Sequence, residues 1–317
     1  MPTEQREERR DAPVRRGDAR PMSANFAISA LRSVDLVVPD LAAALDFYTH
    51  VWALEPVHHS GGSAWLRGTG ADTQILALHA GDAPAMRSMT LRARDRDALD
   101  DVVARARAHG CHVETAIELD EPGAGRALLI RDMAGRTMRV VADDAARFAD
   151  DPLADHPERL AHVNINSDDV ARDQAFFTDV LGFQLTDRSK MMAFVRTNRD
   201  HHSIVIAEAP VNTLNHVAFN LPSWEGVMRA SGRTIDAGLP MGWGVGRHGP
   251  GNNVFAYFVD PFGIVVEYTA EVLQVDEHYR VRGPDEWTWP PGRTDQWGIA
   301  PPKSEACKRA QLAIPFA

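Results

Sequence analysis

The chain has 317 residues, with 34 Lys and Arg against 44 Asp and Glu, for a formal net charge of −10. So acidic a balance excludes nucleic acid as the main partner, and no apolar run is long enough to span a bilayer. Two well-separated cysteines, Cys111 and Cys307, fit a reducing cytoplasm, and the length points to two domains.

In chain order, residues 1–28 interleave Arg with Glu and Asp and contain no apolar h-region. They read as a disordered segment, neither a signal peptide nor an anchor. A first domain follows over residues 29–145, with strand Leu31–Val38, helix Asp40–Val51, strand Ser88–Arg92 and helix Asp95–Gly110. Asp143–Arg159, rich in Asp and containing Pro, reads as a linker. The second domain, residues 158–272, starts with strand Leu160–Ile165 and helix Asp169–Leu181, which has an Asp at its cap position. Strands are expected at Gly182–Leu185, Met192–Arg196, Ser203–Glu208 and Asn215–Asn220, and a helix at Ser223–Gly238. The strands Val254–Val259 and Ile264–Tyr268 then flank the turn Asp260-Pro261-Phe262-Gly263. Residues 273–317 form a tail rich in Trp and Pro, expected either to fold over the mouth of the second sheet as a lid or to pack elsewhere.

The two domains are copies. Asp40–Val51 aligns with Asp169–Val180 at an offset of 129, and Asp132–Gly135 with Asp260–Gly263 at an offset of 128. Each half repeats a βαβββ shape, so the expected fold is α+β, with two tandem domains of paired βαβββ modules, each a strongly curved open sheet. The halves differ in their polar strand residues. His162, His216 and Glu267 lie on strands of the second half, where the first has Ser33, Ser88 and Arg139. The fold is thus kept twice and the cluster once. Two imidazoles and a carboxylate on three strands of one concave face make a facial triad, which suits non-haem Fe(II) with three adjacent positions free; zinc would favour a tetrahedral site. Asp260 and Asp132 are expected to cap their turns. Phe47, Tyr48, Phe176 and Phe177 read as helix-to-sheet core, and His50, His58, His59, His79, His109 and His112 as surface residues.

The segment Gly246–Glu267 adds His248 and Tyr257 to Glu267 in a Gly-x-His … Tyr-x-x-Asp-Pro-x-Gly-x-x-x-Glu pattern. With the duplication, this resembles the two-domain extradiol catechol dioxygenases of the vicinal-oxygen-chelate superfamily, over roughly Leu31–Ala270. Ala256 departs from the family's large aliphatic before the Tyr.

The resemblance implies a ring-cleaving enzyme that inserts both atoms of dioxygen into a catechol to give a muconic semialdehyde-type product. It implies Fe(II), with Mn(II) as an equivalent, on His162, His216 and Glu267. It further implies His202 as the acid–base group titrating near neutrality, with His201 as an alternative, and His248 and Tyr257 as donors to the catecholate oxygen. Asn164 would sit at the dioxygen site, and Phe194 and Trp243 would line the ring. Trp243 replaces an Arg of the homoprotocatechuate branch, which implies a more apolar catechol unless Arg293 of the tail supplies a charge. A homo-oligomer is expected on the same ground. A glyoxalase-like isomerase or lyase and a metal-free binding protein of the superfamily are the competing readings.

Overall fold

The computed structural model describes residues 26–117, 119–289 and 291–317. The expected disorder of the leading segment therefore falls outside the described residues up to position 25, as does Pro290 of the tail. The first domain starts slightly earlier than expected. Phe26 is buried beneath the Arg196 guanidinium, 5.4 Å from its ring centroid, and the first strand begins at Ile28.

Each domain is one eight-stranded mixed sheet. The first contains β1 (Ile28–Val38), β2 (Glu55–Ser60), β3 (Ser63–Arg67), β4 (Leu76–Ala80), β5 (Ala85–Ala93), β6 (His112–Ile117), β7 (Arg126–Arg131) and β8 (Thr137–Ala142), in the spatial order β2-β3-β4-β1-β5-β8-β7-β6. The second contains β9 (Arg159–Ser167), β10 (Gln184–Arg188), β11 (Met192–Arg196), β12 (Ile204–Glu208), β13 (Leu214–Asn220), β14 (Trp243–Arg247), β15 (Val254–Val259) and β16 (Val265–Ala270). Its order, β10-β11-β12-β9-β13-β16-β15-β14, repeats the first in equivalent positions. Two βαβββ modules meet at the central antiparallel pair, β1 with β5 and β9 with β13.

Helices α1 (Leu41–Asp46), α2 (Arg96–Ala108), α3 (Val170–Ala175) and α4 (Trp224–Asp236) start at capping side chains. Asp40, Asp95, Asp169 and Ser223 each accept from the backbone N–H three residues on, at 3.0, 2.7, 2.9 and 3.2 Å. Single helices were expected over Asp40–Val51 and Asp169–Leu181. Instead α1 and α3 both widen into a π turn, at Phe47–Val51 and Phe176–Val180.

The two aspartate-led turns behave as expected and also join the domains. Asp260 Oδ1 accepts from Phe262 and Ile264 N–H at 2.9 and 2.8 Å, while Asp132 Oδ1 accepts from Ala134 and Arg136 N–H at 2.9 Å each. Gly263 and Gly135, at φ +87° and +82°, occupy the left-handed position each turn requires. Each turn docks on the other domain's first helix: the Tyr48 hydroxyl donates to Asp260 Oδ2 at 2.9 Å, and Arg136 bridges Asp132 to Asp173 at 2.6 Å. Trp52, fully buried, stacks on Tyr268 of β16 with centroids 3.7 Å apart. Tyr48 is therefore core, as read from sequence, but core shared between domains.

The first domain holds a polar cluster of its own, which corrects the expectation that only the second carries one. Arg139 pairs with Glu121 at 2.7 Å and with Asp35 at 3.1 Å, Arg32 pairs with Glu121, and the Ser88 hydroxyl donates to Asp35. His79 belongs to it, with Nε2 3.2 Å from Asp35 Oδ1, and is half-buried where a surface residue was expected. Cations and carboxylates saturate one another there, so no converging set of free donors remains.

Burial alone would raise the Asp35 carboxyl, but Arg139, His79 and Ser88 hold it down at about 2. A depressed folded-state value means the contribution is complete above the unfolded value near 3.8 and is lost as pH falls through about 2. Asp35→Asn is expected to remove about 2 kcal/mol of stability at pH 6, measured by denaturant unfolding, with the difference from wild type shrinking between pH 4 and 2. A difference that is flat with pH would contradict this.

Candidate active site

Strand register alone assembles the concave face of the second sheet. Across it Phe194 pairs with Val205, Val205 with Asn164 and Asn164 with His216; farther along, Ala218 pairs with both His162 and Glu267, Glu267 with Tyr257, and Tyr257 with Trp243. Partners in register share a face, so residues from seven strands form one continuous band. Ala218 is the piece that sequence reasoning missed. Its methyl sits between His162 and Glu267, and a larger side chain there would keep the two apart.

His162, His216 and Glu267 are all buried and converge. Nε2 of His162 lies 3.1 Å from Nε2 of His216, and Glu267 Oε2 lies 3.3 and 3.0 Å from these two nitrogens. Adjacent donors around an octahedral ion with bonds of about 2.1 Å stand about 3.0 Å apart, so the spacing is that of one face of such a site. Glu267 Oε2 makes no hydrogen bond of acceptable geometry, leaving a buried carboxylate oxygen aimed only at lone-pair donors. Burial would raise the Glu267 carboxyl, but His162 and His216 hold it well below its ordinary value, whereas burial pushes His216 down to about 4. Glu267 is thus ionised and His216 neutral, the forms in which these groups bind a metal. The residues present fit a divalent cation.

Neighbouring groups orient two of the three, His216 and Glu267. His216 Nδ1 faces Asn215 Oδ1 at 2.8 Å, and Asn215 is held by Asn166 at 2.8 Å and by Gln311 of the tail at 2.6 Å. Asn253 Nδ2 lies 3.4 Å from Glu267 Oε1 and donates to Thr269 Oγ1 at 2.8 Å. Asn215, Asn253 and Gln311 carry no motif signal, because their role depends on strand register and on a tail that folds back.

His202 and His201 separate by role. His201 Nε2 is 2.7 Å from Asp187 Oδ2, and its Nδ1 is 3.1 Å from His202 Nδ1. The carboxylate accepts the proton on His201 Nε2, so His201 Nδ1 accepts from His202 Nδ1, which leaves the lone pair of His202 on Nε2. The His202 ring lies 4.5 Å from that of His162 and lines the cavity, which His201 does not. Burial, with His162 and His201 beside it, pushes His202 well below the ordinary imidazole value. The near-neutral titration expected of it is corrected accordingly, since desolvation dominates. His248 Nε2 is 3.0 Å from the Tyr257 hydroxyl; burial pushes the imidazole down to about 3 and the phenol well up, so both are neutral.

These groups open on a cavity of about 490 Å³, ample for a substituted aromatic ring. Asn164, Phe194, Trp243, His202, His248 and Tyr257 all line it. Arg293 does not: it is exposed, its side chain running along Gly298, so the tail's expected charge does not come from there. The tail instead contributes Pro284, Trp287, Trp289, Thr294, Lys303 and Gln311 to the wall. These six tail residues lie across the mouth of the second sheet, and the short helix α5 (Glu305–Ala310) follows Lys303.

Comparison with known proteins agrees with this architecture. A family model described as Glyoxalase/Bleomycin resistance protein/Dioxygenase superfamily matches residues 30–139 and 159–268. Metapyrocatechase 2 of Cupriavidus necator is 34% identical over 119 residues, a match spanning only 37% of either chain. Metapyrocatechase of Pseudomonas sp. (strain CF600) is 26% identical over 253 residues, 73% of this chain and 82% of that one. The structure of the Mn(II)-bound glyoxalase from Novosphingobium aromaticivorans superposes with a TM-score of 0.82 at 35% identity, covering 89% of this chain and 94% of that one. With the family model matched once in each half, the chain belongs to the Glyoxalase/Bleomycin resistance protein/Dioxygenase superfamily and carries its domain twice.

Proposed function

We propose that the chain is an extradiol dioxygenase, which inserts both atoms of dioxygen into a catechol beside its hydroxyls to give a muconic semialdehyde-type product. The observation that carries the proposal is the meeting, in one cavity, of a two-His, one-Glu donor set with His202 on one side and the His248–Tyr257 pair on the other. Two relatives that bear the name metapyrocatechase support it.

His162, His216 and Glu267 would hold a ferrous ion, or a manganous one as in the Novosphingobium structure. When bound, it would supply a Lewis acid with adjacent free positions where catechol and dioxygen meet. The protein's own groups do the rest. When His248 Nε2–H donates to the Tyr257 oxygen, the phenolic proton is free to donate to a catecholate oxygen, stabilising its negative charge. Phe194 and Trp243, on opposite sides of the face, fix the ring plane between them. His202 Nε2 takes the proton released as the catechol ionises and later returns it to the oxygen being cleaved, while the Asp187–His201 pair holds its orientation. Two indoles of the tail, Trp287 and Trp289, exclude water from the reacting oxygens.

The Novosphingobium match favours a second reading, a metal-dependent glyoxalase-type isomerisation, which would use the same three donors and consume no dioxygen. Association with a second copy belongs to the leading proposal and is supported by exposed Trp224, Met228 and Ile299 along one shallow surface hollow.

Two outcomes test the roles assigned. His202→Ala should lower the rate of coupled turnover by about 10²- to 10⁴-fold while anaerobic substrate binding changes far less; parallel losses would make His202 a packing residue only. Replacing Trp287 and Trp289 together by Ala should raise dioxygen consumption per ring cleaved above one, read by electrode and chromophore side by side. Stoichiometry that stays at one would remove the tail from water exclusion.

A further inference from the structure

The cavity contains a cation that the proposed reaction does not use. Lys303, from the tail, reaches into the wall with Nζ 4.6 Å from the Trp243 ring centroid and 5.6 Å from that of Tyr257. An ammonium has three N–H donors; one goes to Gln311 Oε1 at 2.6 Å. No carboxylate among the described residues forms an ion pair with it, although most cationic side chains packed into this protein's interior have one, Arg32, Arg92, Arg136 and Arg139 included. Lys303 keeps part of its surface open, and that surface faces the cavity it lines.

The surrounding charge is unusual for this chain. Although the net charge is −10, the cavity is lined by two lysines, Lys190 and Lys303, and by no Asp or Glu. Glu267 acts on Lys303 through space but makes no ion pair with it and is committed to the donor set. The aromatic faces of Trp243 and Tyr257 hold the ammonium in place. With one donor on Gln311 and the ammonium packed against two rings, the other two donors are left for a group in the cavity.

We propose that Lys303 determines specificity by binding an anionic group, a carboxylate carried as a ring substituent, so that the substrate class is an acidic catechol. This rests on the dioxygenase reading of the same site. Lys303 places its charge over the Trp243 indole, so the wall offers an apolar ring surface and a cation side by side. The two remaining N–H donors can meet both oxygens of a carboxylate, a charge-assisted contact worth more than a neutral one in so enclosed a site.

The test compares 3,4-dihydroxybenzoate with 4-methylcatechol, of matched ring and hydroxyls, on the full chain loaded with Mn(II) and kept anaerobic. Dissociation constants come from quenching of tryptophan fluorescence. The wild type should bind the acid at least tenfold more tightly than the methyl compound. Lys303→Met should bring that ratio close to one, and Lys303→Arg should restore most of it. A wild-type ratio near one overturns the proposal without any variant. So does a Met variant in which both affinities fall in parallel, since a lysine that only props the wall would treat the two ligands alike. Dioxygen uptake is measured separately: a tenfold preference that follows Lys303, with no uptake on either compound, leaves the anion site standing and removes the dioxygenase reading.

Discussion

Everything in the second domain turns on one buried carboxylate. Glu267 is fully enclosed, its Oε2 lies against the imidazole nitrogens of His162 and His216, and its Oε1 has a long contact to Asn253. An ionised carboxylate so placed is tolerable only beside a compensating charge. The strand register that brings His162 and His216 within 3.3 Å of it makes a divalent cation the natural compensation. The rest of the site follows from the requirement that this charge and its ligands stay fixed: Asn215 and Gln311 orient His216, Asn253 steadies Glu267, and Ala218 leaves the room in which the donors meet.

The duplication explains why only one half has this property. Both sheets have a polar centre at equivalent positions, but the first resolved it with charges of both signs. Arg139 occupies the place of Glu267 and, with Asp35, Glu121 and Arg32, closes a saturated network. What remains for the first domain is support. Its Tyr48 and Trp52 enter the second domain's core, and Asp260, whose carboxyl burial pushes up to about 6, accepts the Tyr48 hydroxyl at the turn between β15 and β16. The strands carrying Tyr257 and Glu267 are thus braced from the opposite domain, which gives a donor set the rigidity that a loop could not.

The repeat and the alternation of the strands made the βαβββ modules, the aspartate caps and the turn caps legible from sequence, because each depends on local chemistry. The meeting of His162, His216 and Glu267 was legible because hydrophobic patterning sets which face a strand residue takes. Three things were not. The π turns continue helices whose apolar spacing reads as a single α-helix. The charge network of the first half draws on Glu121 and Arg32, which follow no repeat. The tail has no period at all, so nothing local said that Lys303 and Gln311, rather than Arg293, would reach the cavity. His202 shows the same limit in another form: its identity came from motif resemblance, but its depressed basicity comes from burial among other imidazoles.

The most direct test of the central claim is to load the chain anaerobically with Fe(II), add a 3-substituted catechol and then air, and follow dioxygen uptake with the absorbance of a yellow semialdehyde, beside His216→Ala. The account predicts one dioxygen consumed per product in the wild type, and in the variant neither stoichiometric metal nor chromophore. Metal bound in the wild type at full occupancy, with no dioxygen uptake across a series of neutral and acidic catechols, would contradict it.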